Sequence, residues 1–340
     1  MDRKLRIGIL GCANIAERLT IKAFQAISNA EVVSIASRNI NKAKEWAIKF
    51  NIPTAETYED IVKNPEIDAL YIPLPIGLHK EWILKAAKAD KHVLSEKSLA
   101  PDLNSVKEII KVCKENNRVL YENFTCDYHP QHQKVIELMS GGEIGKLHVF
   151  QSTYGFPLIN NGANFRYDKN LGGSALNESG AYQVYTVRKL LKKEPISIYA
   201  NLSFSNGVDM KGSVIMAFEN NFIATFSFNF DAVYQNNYSV WGSTGLIKVG
   251  RAYAIAPDFK PIVEIIKNEN KQEKITALDL PAHNHFETIF SEFCDLVLSK
   301  EIKKEKIEEK YLDILNQAKV LEAIRISSHE NRKVQISEIK

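Results

Sequence analysis

Up to residue 121, short apolar runs alternate with longer stretches whose apolar residues recur every three or four positions. The runs at 5–10, 31–37, 69–73, 92–94 and 118–121 are rich in Ile, Val and Leu and barely alternate, as strands do when helices cover both faces of a parallel sheet. The stretches at 15–27, 41–50, 77–89 and 102–116 carry the helical period, and Asn41 and Asp102 stand where N-cap side chains belong. This pattern predicts a doubly wound α/β domain over residues 1–122.

Beyond about residue 145 the rhythm changes. Strand-like runs at 147–154, 196–205, 212–218, 223–230, 238–242 and 246–249 follow one another without intervening helices. Their joins carry turn residues: Asn206-Gly207, Glu219-Asn220-Asn221 and Ser243-Thr244-Gly245. A large, mostly antiparallel sheet is expected in an α+β domain over residues 123–340. Helical patterns at 284–298 and 307–327 close the chain and can pack back on the first domain.

Length agrees with two domains, since 340 residues exceed one comfortable core. A net charge of +3 (44 basic less 41 acidic residues) is spread along the chain, which argues against a nucleic-acid footprint. The lysine run at 300–306 is interleaved with glutamate and reads as a solvated helix flank. Cys12, Cys113, Cys126 and Cys294 show no paired spacing, so neither a disulfide framework nor a zinc site is expected. Without a leader-like segment or an apolar run of membrane length, the reading is a soluble, cytoplasmic protein.

Candidate chemistry begins at Gly8-Ile-Leu-Gly11-Cys12-Ala13-Asn14-Ile15-Ala16. In a strand–turn–helix loop that cradles a dinucleotide, the pattern is G-x-G-x-x-G; here it reads Gly11-x-Ala13-x-x-Ala16. A methyl group at the second position takes some room but leaves the backbone N–H groups available to a pyrophosphate. A plain βα turn without ligand is the alternative. At the end of the second strand, where an NAD site places Asp or Glu, stand Ser37 and Arg38, with Lys42 shortly after. A guanidinium would hold a 2′-phosphate that a carboxylate would repel, so NADP(H) is favoured over NAD(H). The alternative is an Arg facing solvent.

Leu74, Pro75 and His79 follow the strand at 69–73, at the carboxyl end where ligands of open α/β sheets bind. His79 could serve that site, or simply cap or pack. Glu96 and Lys97 follow the strand at 92–94. A lysine there, oriented by Glu96, can give a proton to an alkoxide forming at a ketone carbon, unless it is merely an exposed ion-pair partner. Farther on, Arg166 precedes Gly172-Gly173 and a segment in which Glu178 and Tyr182 share one face if it is helical from Asn177. Without Lys97 nearby, the preferred reading of Tyr182 is a buried tyrosine with a satisfied hydroxyl. The pairs His129/His132 and His283/His285 lack a supporting carboxylate or cysteine, and no metal is expected.

Together, the glycine-rich loop, Ile72-Pro-Leu-Pro-x-x-x-His79, Lys91-His-Val-Leu-Ser-Glu96-Lys97 and Gly172-Gly-x-Ala-Leu-x-Glu178-x-Gly-x-Tyr182 resemble the glucose–fructose oxidoreductase/inositol dehydrogenase family. Gly-Cys-Ala-x-Ile-Ala, Tyr121-Glu-Asn-Phe with His129-x-Gln-His132, and Phe165-Arg-Tyr are most similar to its sugar-nucleotide 3-ketoreductases. The resemblance implies an N-terminal Rossmann domain and a C-terminal sheet used to form a homodimer or homotetramer. It implies Lys97 as proton donor with Tyr182 assisting, and Gly11, Cys12, Ala13, Asn14, Ile15, Ser37, Arg38, Lys42, Leu74, Pro75, His79, Glu96, Arg166 and Glu178 around the cofactor. Arg18, Asn123 and Tyr182 are implied for substrate. Three departures from the family pattern stand out: Ser98 in place of proline, Glu178 in place of aspartate, and Tyr182 where many members have histidine. The expected activity is NADPH-dependent reduction of a ketone on a nucleoside-diphosphate sugar. The alternatives are a dehydrogenase of free sugars or polyols, and a non-catalytic cofactor-sensing regulator.

Overall fold

The computed structural model describes residues 3–158, 164–299 and 304–340. Residues 300–303 of the lysine run read above as a helix flank lie outside them. The chain divides into two compact units, Met1–Asn123 with Phe286–Leu315, and Phe124–His285 with Asn316–Lys340.

The first unit is built on a six-stranded sheet of β1 (Leu5–Leu10), β2 (Ala30–Ala36), β3 (Thr54–Glu56), β4 (Ala69–Ile72), β5 (His92–Ser95) and β6 (Leu120–Glu122). Its order is β3-β2-β1-β4-β5-β6, and every neighbouring pair is parallel. The chain steps outward from β1 through β2 and β3, then returns to the other side of β1 at β4. That reversal opens a crevice at the carboxyl ends of β1 and β4, the usual ligand position in such sheets. All four residues of β4 and the last three of β5 are buried, which explains the apolar runs Ala69–Ile72 and Val93–Leu94. Helix His285–Leu298 contributes Phe290, whose ring stacks on Phe24 at 4.0 Å; burying one such ring is worth about 2–3 kcal/mol.

Two local features differ from the sequence reading. Asn39, not Asn41, caps helix Ile40–Phe50, its side chain accepting the Asn41 N–H at 3.0 Å. The three-residue β3 and helix Tyr58–Lys63 are too short for a hydrophobic period to show. Asp102 does cap helix Leu103–Glu115, accepting from the Ser105 N–H at 2.9 Å.

The second unit carries β7 (Leu147–Gly155), β8 (Ser197–Ser205), β9 (Val208–Ala217), β10 (Ile223–Asn229), β11 (Gln235–Gly242), β12 (Leu246–Val249), β13 (Ile262–Glu269), β14 (Gln272–Asp279) and β15 (Val334–Gln335). They form one sheet in the order β14-β13-β12-β11-β7-β10-β9-β8-β15, antiparallel except for the β7–β10 pair. Asn206 and Gly207 both take positive φ, 49° and 77°, in the tight β8–β9 turn. One face is buried, with Phe150, Val214, Phe226, Phe228, Tyr238 and Val240. Helix Ala181–Leu191 packs there, and Gln183 Nε2 donates to Ser152 Oγ and to the Ser227 carbonyl, each at 3.0 Å. The opposite face leaves Tyr199, Ile215, Ile223 and Trp241 between 42% and 50% exposed.

Candidate active site

In the first unit, β1 runs into Gly11, whose φ is +136°. A side chain there would be strained, and its Cβ would come within 2.9 Å of the Leu74 side chain. The Leu74 side chain therefore lies close to Gly11, and the positive φ is what calls for glycine there. Helix opens at Asn14, and its first backbone bond runs from the Glu17 N–H to the Ala13 carbonyl at 3.1 Å. The N–H groups of that first turn have no partner within the helix and suit an anion. Lys42 Nζ donates to the Cys12 carbonyl at 3.0 Å, bringing the helix after β2 onto the same loop. Burial pushes the Cys12 thiol up to about 11.

At the end of β2, Ser37 is buried and its hydroxyl accepts the Asn39 N–H at 3.2 Å, whereas Arg38 is exposed. Tyr58, which sequence reasoning missed, hydrogen-bonds the Arg38 main chain, and burial raises its pKa. No carboxylate occupies the position where one would meet a ribose 2′-hydroxyl. These residues fit a dinucleotide carrying a 2′-phosphate.

The turn after β5 is anchored residue by residue. Glu96 Oε1 accepts from the Tyr71 hydroxyl at 2.6 Å and from Asn123 Nδ2 at 2.7 Å. The Glu96 N–H donates to the Ile72 carbonyl at 3.1 Å, and the Leu99 N–H to Glu122 Oε1 at 2.8 Å. Between them Lys97 is only 8% exposed, and the Lys97–Ser98 peptide is cis. Tyr71 did not stand out in the sequence, and Glu122 did so only within Tyr121-Glu-Asn-Phe, with no role given to it. Tyr71 was hidden in an apolar strand, but Glu122 pairs in register with Ser95, so alignment of the two strand ends could have flagged it.

His79 lies in the first turn of helix Ile76–Lys88 and is fully buried. Its Nε2 is 2.7 Å from the Leu74 carbonyl oxygen and its Nδ1 3.1 Å from that of Ser98. Burial lowers its pKa, outweighing the carbonyls that favour a charged ring. The ring thus faces main chain on both sides. Arg18, in the π-helical turn Ala16–Thr20, is exposed.

Arg166, Glu178 and Tyr182 belong to the second unit. Arg166 Nη2 pairs with Glu178 Oε2 at 3.2 Å, and its guanidinium lies 4.7 Å from the Phe165 ring. Leu176–Gly180 is a π-helical turn leading into the α-helix that bears Tyr182, so the four-residue spacing of Glu178 and Tyr182 is not that of a regular α-helix. The Tyr182 ring is half-buried among Phe124, Tyr154 and Tyr253, with centroids 5.7–5.8 Å away. Tyr154 and Phe124 are additions to the sequence-derived set.

The histidine pairs resolve differently. His132 Nδ1 lies 3.0 Å from the Tyr238 hydroxyl and Nε2 2.9 Å from the Ala252 carbonyl, so a neutral ring accepts from one and donates to the other. His129 and His285 meet edge to face at 5.5 Å. Among the described residues no group of three or more His, Cys, Asp or Glu is placed to hold a metal ion. Among them, too, no helix is long and apolar enough to cross a membrane.

Residues 5–124 match the family described as oxidoreductase family, NAD-binding Rossmann fold, and residues 132–248 match the GFO/IDH/MocA C-terminal domain. The chain belongs to this oxidoreductase family. One relative of this oxidoreductase is dTDP-3,4-didehydro-2,6-dideoxy-alpha-D-glucose 3-reductase of Saccharopolyspora spinosa, 34% identical over 84% of this chain and 85% of its own. The 3-reductase of the same name from Actinomadura kijaniata is 32% identical over 96% of each chain. Among solved structures, KijD10, a 3-ketoreductase from Actinomadura kijaniata in complex with NADP and TDP-benzene, superposes with a TM-score of 0.89 at 32% identity, covering 96% of this oxidoreductase and 98% of that chain.

Proposed function

We propose that this oxidoreductase is an NADPH-dependent 3-ketoreductase acting on a dTDP-linked ketosugar. Bound NADPH supplies the hydride. Ser37 and Arg38 hold its 2′-phosphate, Lys42 braces the loop Gly11, Cys12, Ala13, Asn14 and Ile15 against its pyrophosphate, and Leu74 and Pro75 line the crevice beside it. Glu96, with Asn123, fixes the turn from which Lys97 gives a proton to the ketone oxygen as negative charge develops there. Family resemblance further assigns cofactor-side roles to Arg166 and Glu178, and substrate roles to the Tyr182 hydroxyl and to Arg18. The observation that carries this reading is a buried lysine, Lys97, on a turn anchored on either side, at the carboxyl end of β5.

Lys97→Ala is expected to lower kcat by about 10²–10⁴-fold, the span of general acid–base catalysis, with NADPH affinity nearly intact. Stopped-flow reduction of a dTDP-ketosugar and NADPH fluorescence titration measure the two. Wild-type turnover in the variant removes Lys97 from the mechanism.

The uncovered sheet face further supports a homo-oligomer. Across β8, β9, β10, β7 and β11, the row Tyr199–Ile215–Thr225–Gln151–Ser239 and the row Asn201–Ser213–Ser227–Thr153–Asn237 contain no charge. A second copy of the chain suits such a neutral, partly apolar surface.

A further inference from the structure

His79 sits on a rigid helix, touches no solvent, and presents each ring nitrogen to a carbonyl of a different turn: Leu74 after β4 and Ser98 after β5. A carbonyl oxygen can only accept, so the imidazole donates to one turn or the other as a neutral ring and to both when protonated. Ser98 directly follows Lys97. The opposite side of that turn is held by Glu122 through the Leu99 N–H, and its start by Tyr71 and Asn123 through Glu96. The Ser98 carbonyl is thus a further anchor of the turn that carries Lys97. The Leu74 carbonyl belongs to the loop whose side chain fills the space beside Gly11.

We infer that His79 is a positioning residue between the Lys97 turn and the cofactor-side loop, its single N–H exchanging between the two carbonyls as the tautomer changes, so that it sets turnover through Ser98 and cofactor fit through Leu74. The inference rests on the Lys97 reading above. Misplacing a reacting group by about 1 Å can cost on the order of 10²-fold in rate, so a single lost tie is measurable.

Side-chain amides separate the two contacts, because the asparagine amide nitrogen stands in for Nδ1 and the glutamine amide nitrogen for Nε2. Steady-state kinetics on a dTDP-ketosugar, NADPH fluorescence titration and thermal midpoints are measured for His79→Asn, His79→Gln, His79→Phe and Lys97→Ala. His79→Asn keeps the Ser98 tie, so kcat stays within about threefold of wild type while KM and Kd for NADPH rise about tenfold. His79→Gln keeps the Leu74 tie and shows the reverse: a kcat drop of about tenfold or more with NADPH affinity unchanged. His79→Phe loses both. Should it fold poorly, the Asn/Gln pair decides alone. Parallel losses in the two amide variants that track their thermal midpoints overturn the inference, as does wild-type kcat in His79→Gln. If Lys97→Ala is slow while the amide variants behave alike, this inference alone falls. Wild-type turnover by Lys97→Ala overturns the Lys97 reading and this inference with it.

Discussion

The Leu99 backbone N–H donates to Glu122 Oε1 at 2.8 Å, so the residue two places beyond Lys97 is held by the last residue of β6. A hydrogen bond to a charged group contributes about 1.5–3 kcal/mol. Glu122→Ala is therefore expected to cost about 2 kcal/mol of unfolding free energy and to lower kcat several-fold more than KM for NADPH. Denaturant titration and steady-state kinetics check both; an unchanged kcat would show that the turn keeps its place without this anchor.

On the reading proposed above, cofactor choice turns on Arg38. Replacing it with glutamate removes a charge-assisted partner of the 2′-phosphate and adds repulsion, so Kd for NADPH should rise about ten- to a hundredfold. NADH, lacking that phosphate, should bind almost as before. Fluorescence titration with both nucleotides is the measurement, and equal weakening of the two would place the 2′-phosphate elsewhere.

Acid should destabilise this fold well above the carboxylate range. Burial holds His92, His129, His132 and His285 down at about 4, against about 6.5 in an unfolded chain. Above pH 6.5 the rings are neutral in both states, and their contribution is fully present. As pH falls from 6.5 toward 4 the unfolded chain binds protons that the folded one refuses, and stability drops by about 1.4 kcal/mol per pH unit for each ring fully titrating. Asp209, raised by burial, works in the opposite sense as a single group. The Arg6–Asp68 pair lowers the Asp68 carboxyl, so its loss comes only at still lower pH. Urea midpoints should stay level from about pH 7.5 to about 6.5 and fall from there toward about pH 5; a flat profile throughout contradicts the assignment.

The exposed sheet face is open to a direct test. Ile215→Lys together with Trp241→Lys places two charges on adjacent rows of the uncharged surface. In sedimentation velocity the variant should run near the 38.5 kDa of one chain, and the unaltered protein at a multiple of it. A wild-type particle of single-chain mass would end the oligomer proposal.

Much of this was readable from residue order alone. The parallel half declared itself because the centres of β4 and β5 are buried on both sides and are filled by apolar residues such as Leu70, Ile72, Val93 and Leu94. Gly11, Arg38 and Lys97 were legible because each follows a strand end. Other features were hidden for physical reasons. β14 is exposed along almost its whole length, so burial imposed no alternation on it, and β13 pairs with it through the polar stretch 267–274. Helix Pro130–Ser140 buries Gln131 and His132 as well as Val135 and Met139, which blurs its apolar stripe. The parallel β7–β10 pairing joins strands some seventy residues apart, and no local pattern encodes such a partner. His79 was identified, but its two carbonyl contacts depend on how separate turns meet.

The state of the Cys12 thiol bears on how the enzyme withstands oxidants. Peroxides and alkylating agents attack the sulfur anion, and a thiol titrating at about 11 offers very little of it at neutral pH. The cofactor loop proposed above, which includes Cys12, should thus keep working under oxidative stress, and electrophilic inhibitors aimed at that sulfur should react slowly.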